Sequence, residues 1–250
     1  MAIPPEPAAM RSEFDLFIGV DWSGAKGPLK AFQVAVCEPG TRAPQLVRPP
    51  GRSWQRADFA HWLSARIEET PRLLCGMDFS FCFPFVDENA YLPGLPAQTA
   101  PEFWAWLESI SPAEDFYGGD LPQRPEFADF FNQRGISENR YRTRHRVTDQ
   151  TGAQQGFGQP STVFNLVGAA QVGKSSLSGM RVLHWLKARH PQLVIWPFDE
   201  ITPSCPVLVE TFPAGWLQQA GHRGKARDAR TLNKALAFYG SAPRRKRLNS

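Results

Sequence analysis

Three short apolar runs in this chain each end in an acid, and that punctuation limits the folds open to it. The runs are FDLFIGVD (14–21), RLLCGMD (72–78) and CPVLVE (205–210). An apolar run of about four to eight residues reads as a strand buried on both faces, the kind found in parallel sheets covered by helices. Parallel strands need long crossovers between them. The stretch SWQRADFAHWLSARIEET supplies one, with Trp54, Phe59, Trp62, Leu63 and Ile67 at near-helical spacing. The fold class expected is therefore α/β.

Other segments fit the same frame. KAFQVAVCE (30–38) reads as a second strand, joined to the first as a hairpin through WSGAKGPL, where Gly24 and Gly27 supply the freedom to turn. QLVR (45–48) reads as a short third strand. Helices are expected at PEFWAWLES (101–109), after Ser175 through Leu177, Met180, Leu183, Trp185 and Leu186 to Pro191, and at DARTLNKALAFYG. QLVIWPFDE is a further strand candidate. Between about residues 86 and 160 the pattern breaks into proline, glycine and aromatic residues, and this stretch reads as a lid-like insertion after the fourth strand. Phe103, Trp104 and Trp106 within it read either as base-stacking groups or as the lid's own small core. The organisation expected is a loose tail (1–13), one domain (14–240) and a basic tail (241–250) whose Arg244, Arg245, Lys246 and Arg247 read as a solvated terminus.

Composition narrows the function classes. Hydrophobic residues make up 42%, enough for a core, and 28 basic against 24 acidic side chains give +4, a balance that permits a polyanionic partner without requiring one. Cys37, Cys75, Cys82 and Cys205 include no C-x-x-C pair and read as small buried thiols. No basic segment followed by an apolar run opens the chain, and no stretch reaches the ~18 apolar residues of a membrane span. A cytoplasmic protein with no membrane partner is expected.

The acids at the strand ends carry the chemistry. Ligands of open α/β sheets sit at the carboxyl ends of the strands. If the three strands are parallel neighbours, Asp21, Asp78 and Glu210 converge, and clustered carboxylates call for a hard cation such as Mg²⁺ or Mn²⁺. Taken singly, each acid reads instead as a solvated cap or an arginine's partner.

The phrases IGVDWSG, GMDFSFCFP and VETFPAGW, with NLVGAAQVGKSSLSGMRVL between the last two, resemble in content and order the blocks of a family of uncharacterised proteins predicted to be ribonuclease H-like nucleases. The resemblance spans most of residues 15–240. It implies a ribonuclease H-like mixed sheet flanked by helices, opening with three antiparallel strands. It makes Asp21, Asp78 and Glu210 the catalytic and metal-holding acids of a metal-dependent nuclease acting on nucleic acid. The family pattern also carries an acidic pair in a C-terminal helix. Here only Asp228 stands near that place, as a weak substitute.

A rival reading comes from GAAQVGKS (168–175), which matches G-x-x-x-x-G-K-[ST] between an apolar run and a helix. It suggests a nucleotide-binding phosphotransferase or NTP hydrolase in which Lys174 and Ser175 hold phosphate. Too few residues follow for a full NTPase sheet, and Pro197 interrupts the candidate second motif. Lys174 at a helix start suits a phosphate of a nucleic acid or nucleotide, and reads equally as a solvent lysine before a helix capped by Ser175 or Ser176. In RYRTRHR, an extended chain would point Arg140, Arg142, Arg144 and Arg146 to one face, where they would grip a phosphate backbone; the competing reading pairs them with acids. A non-catalytic ribonuclease H-like binding module is the third reading.

Overall fold

The computed structural model describes residues 13–40, 43–111, 113–127, 129–132, 144–167, 172–224, 226 and 228–240. Six strands form one mixed sheet: β1 (Leu16–Asp21), β2 (Gln33–Cys37), β3 (Gln45–Leu46), β4 (Leu73–Met77), β5 (Val194–Trp196) and β6 (Val207–Glu210). Their order across the sheet is β3-β2-β1-β4-β6-β5. The first three form an antiparallel meander, whereas β1, β4, β6 and β5 run parallel. β5 stops at Trp196, just before Pro197, because proline has no N–H for a ladder.

Helices flank the sheet: α1 (Arg56–Glu69), α2 (Ala100–Ser109), α3 (Val147–Gln154), α4 (Val172–Arg189), α5 (Pro213–Gln219) and α6 (Ala229–Phe238). No helix of the described residues is long and apolar enough to cross a membrane. α2 begins where sequence chemistry asks it to. Thr99 Oγ1 accepts from Glu102 N, the Glu102 carboxylate accepts from Thr99 N at 3.1 Å, and Pro101 occupies the first turn. The expected helices are all present. α3 and α5 are additions; they are short, and neither carries a long apolar stripe.

One face of the sheet is densely packed. Ile18 and Val20 of β1, Cys75 and Met77 of β4 and Leu208 of β6 meet Phe59, Leu63 and Ile67 of α1 and Leu177, Met180 and Leu183 of α4 in a single apolar core. Described aromatic residues of the expected lid-like insertion join this core. Phe103, Trp104, Phe127 and Phe131 are fully buried in it, and Phe83 packs between Phe103 and Phe164 at ring separations of 4.8 Å. Fully burying a phenylalanine contributes about 1.5–3 kcal/mol, so these rings stabilise the whole domain. They are unavailable for stacking on bases. Trp104 also donates its indole N–H to Phe81 O at 2.7 Å.

Gly24 has a different role from the turning freedom expected of it. The left-handed residue of that loop is Gly27, at φ +84°, whereas a Cβ on Gly24 would overlap Ser175 N and the Lys174 backbone. The loop after β1 therefore lies directly on the first turn of α4, held there by Trp22 Nε1 donating to Ser175 O at 3.0 Å. Gly24→Ala is expected to destabilise the fold by about 1–3 kcal/mol, since neither backbone can give way. A urea melt with an unchanged midpoint would show that this contact is absent.

Candidate functional site

The register of the parallel strands decides which acids meet. Val20 pairs with Met77, and Met77 with Glu210. The ladder continues one step further, with Asp78 N donating to Val20 O and Thr211 N to Met77 O. Asp21 is therefore level with Asp78, and Asp78 with Thr211. Side chains alternate along a strand, so Asp21 and Asp78 share one face. Glu210 lies one step out of phase, with Val20 and Met77. The structure brings together two of the three expected acids at the carboxyl ends of adjacent central strands.

Glu210 is bound to arginine. Its two oxygens accept from Arg146 Nη1 and Nη2, both at 2.6 Å, and Oε2 also accepts from Phe81 N at 3.0 Å. Arg146 has a second carboxylate, Asp149, reached through Nε at 3.1 Å and Nη2 at 2.7 Å, and Asp149 also accepts from the Arg146 backbone N–H. Burial by itself would lower the pKa of Arg146. The Glu210 charge and hydrogen bonds, with those of Asp149, override this and raise it well above the ordinary value. Bidentate arginine–carboxylate geometry of this kind is strong and directional. It fixes the start of α3 over the carboxyl edge of the sheet.

The other predicted residues divide. Arg144 is buried and structural. Its guanidinium donates to Asp87 at 2.6 and 2.7 Å and to the carbonyls of Pro84, Ala90 and Tyr91, so it stitches a loop and has no free face for a phosphate. This corrects the substrate-gripping role expected of it. Arg142, Arg140, Gly168–Gln171 and the basic tail lie outside the described residues. Ser175 is buried in α4, with Oγ returned to Val172 O at 2.8 Å. With Gly24 seated against Ser175 N, no space remains beside that N–H for a phosphate. Lys174 is half-buried in the same turn. Asp228 caps α6, accepting from Thr231 N at 2.7 Å, a role that accounts for its carboxylate without a metal.

Two cavities open beside the acids. One, of about 830 Å³, lies between the sheet face carrying Asp21 and Asp78 and the helices α5 and α6; Gly19, Leu232, Leu236 and Trp216 are among its walls. The other, of about 460 Å³, lies over the carboxyl edge and is lined by Asp78, Arg146, Asp149, Trp196 and Glu210. Among the described residues, no three His, Cys, Asp or Glu side chains are placed to share one metal ion. Mg²⁺ commonly uses only one or two carboxylates and completes its shell with water and substrate phosphate, so Asp21 and Asp78 are the residues that could hold such an ion. Sequence reading missed Asp149, although the R-x-x-D spacing of Arg146 and Asp149 at a helix start is a legible signal. It also missed the tryptophans of the rim.

No protein-family model matches this chain, and neither curated proteins nor solved structures yield a match.

Removing Arg146 leaves two carboxylates without their counter-charge. Asp149 is almost fully buried and Glu210 partly exposed, so Arg146→Met should cost about 3 kcal/mol, the lower end for a broken buried pair. Adding Asp149→Asn should recover part of that loss in a denaturant melt. Arg144 gives a pH signature. Its hydrogen bonds hold the Asp87 carboxyl below the usual carboxylate range, against the opposing effect of burial. A depressed folded-state pKa contributes stability at neutral pH that is lost as pH falls through that pKa. Asp87→Asn should therefore flatten the acid limb of the stability–pH curve; an unchanged slope would show that this pair does not contribute.

Proposed function

We propose that this protein is a ribonuclease H-like, metal-dependent nuclease that hydrolyses phosphodiester bonds of nucleic acid, with Asp21 and Asp78 as its metal-holding acids. The observation that carries the reading is their level placement, on one face, at the carboxyl ends of adjacent parallel strands. The antiparallel β1-β2-β3 opening followed by parallel β4 and β6 supports it, being the topology that the IGVD, GMDFS and VETFP blocks imply.

Both aspartates offer hard oxygen donors suited to Mg²⁺ or Mn²⁺. Bound there, the ion supplies Lewis-acid charge for attack of water on phosphorus. The protein's own groups do the positioning. Glu210 anchors Arg146, and the pair holds α3 beside Asp78, so the guanidinium lines the cleft where a phosphate would arrive. Thr211, level with Asp78, lines the same wall.

Calorimetric titration with Mn²⁺ tests the proposal on the wild type and Asp21→Asn, with cleavage of mixed nucleic-acid substrates assayed in the same samples. The expected result is saturable binding and Mn²⁺-dependent cleavage in the wild type. In the variant, affinity should fall on the order of 100-fold or more, exceeding the usual loss of an outer-shell group, and cleavage should disappear. Wild-type protein that takes up no Mn²⁺, or cleavage that survives the substitution, would defeat it.

A further inference from the structure

The two cavities adjoin, as two lobes beside the acids. Asp78, Thr211 and Trp216 line both, so an acid of the proposed metal pair stands in the wall between them. Their volumes, about 830 and 460 Å³, each fall in the range that encloses a small organic group.

The larger lobe has an unusual floor. Gly19 sits mid-strand in β1, a central strand, yet it is solvent-exposed. A Cβ built there meets nothing within 4 Å. Glycine inside a strand weakens it, and such a position suits close approach of a flat ligand to the backbone. The opposite wall is the apolar stripe of α6, where Leu232, Ala235 and Leu236 recur at helical spacing, continued by Tyr239 at the C-cap. At the rim of the smaller lobe, Trp196 and Trp216 are each 49% exposed and Val147 is 54% exposed. With Tyr239, these make up four of the eight exposed large hydrophobics among the described residues. Exposed aromatic residues gathered beside these lobes are a stacking surface.

We infer that the cleft takes single-stranded nucleic acid, with the bases flanking the scissile phosphate separated into the two lobes, one flat on the Gly19 floor and the other against Trp196. The inference rests on the nuclease reading for the phosphate's position at Asp21 and Asp78. Nucleobases are planar and apolar on their faces, matching both lobes, and the phosphodiester between them matches the acidic wall once a cation is held there. Bases in a duplex are paired and stacked, so they reach such lobes only by leaving the helix, at a cost in free energy that a single strand does not bear.

The test uses an end-labelled oligothymidylate and the corresponding thymidylate–adenylate duplex. Binding is followed by fluorescence anisotropy in EDTA and in Mn²⁺, for the wild type, Gly19→Val and Trp196→Ala. Valine suits a strand and enters open space, so Gly19→Val should keep the wild-type melting midpoint and Mn²⁺ affinity. It should weaken oligothymidylate binding about tenfold, as should Trp196→Ala, consistent with the loss of one stacked base. The duplex should bind the wild type more weakly than the single strand. Unchanged oligothymidylate affinity in both variants, or equal affinity for duplex and single strand, overturns the inference. Wild-type protein that binds no Mn²⁺ overturns the metal reading alone; binding in EDTA that Gly19→Val still weakens would then uphold the lobes as base sites.

Discussion

The β1–β4 ladder ends at Val20 and Met77, and Asp78 N still donates to Val20 O one step beyond it. Pairing Val20 with Met77 therefore leaves Asp21 beside Asp78 at the carboxyl edge. The same ladder, extended to β6, puts Glu210 level with Met77 and Thr211 level with Asp78. A register shift of one residue would exchange these roles, because every side chain of a strand changes face together. The site is thus specified by backbone pairing in the core. Ile18, Val20, Cys75, Met77 and Leu208 hold that register, since any slip would turn their apolar side chains out of the packed face.

Buried arginines fasten the irregular segments to this sheet. Arg56 donates to the carbonyls of Ser23 and Ala25 in the loop after β1 and pairs with Asp115. Arg181 of α4 binds Glu108 and the carbonyls of Ala113 and Tyr117. Arg144 gathers Asp87 and three carbonyls, and Arg146 joins Glu210 to Asp149. Segments without ladders of their own must satisfy their carbonyls somewhere, and a guanidinium offers five donors in a fixed fork. Lysine could not replace these residues with one ammonium. Burial lowers the pKa of Arg56, which Asp115 partly offsets, so even this ion pair is held against a desolvation cost.

The elements were legible because their signals are local. Apolar runs, the spacing of Trp54, Phe59, Leu63 and Ile67, and the Thr99–Glu102 box all depend on near neighbours in the chain. The site was legible only in part. VLVE looks like IGVD and GMD in sequence, but whether its acid shares their face depends on register, which no single strand encodes. The proline-rich segment shows the same limit: aromatic residues between turns have the same composition whether they form a small core of their own or join the main one, and only packing against Phe83 and Phe164 distinguishes the two. RYRTRHR shows charge but not its partner. Arg144 and Arg146 turn inward to acids at Asp87 and Glu210, more than fifty residues away along the chain.

The two sheet faces differ in how they are packed. On the packed face, Phe59 and Phe32 surround Trp22, and its indole ties β1 to α4. Changes there act on the whole fold. On the other face, α5 and α6 stand off the sheet across a cavity, and β1 presents Gly19 where a larger side chain would fit without collision. A central strand that leaves such a gap forgoes apolar burial, at about 25 cal/mol for each Å² left exposed. Gly76, its neighbour on β4, has no such latitude, because Thr211 already lies against it. The two glycines differ in what enforces them: the fold explains Gly76, whereas packing leaves Gly19 unexplained and places it beside the level aspartates.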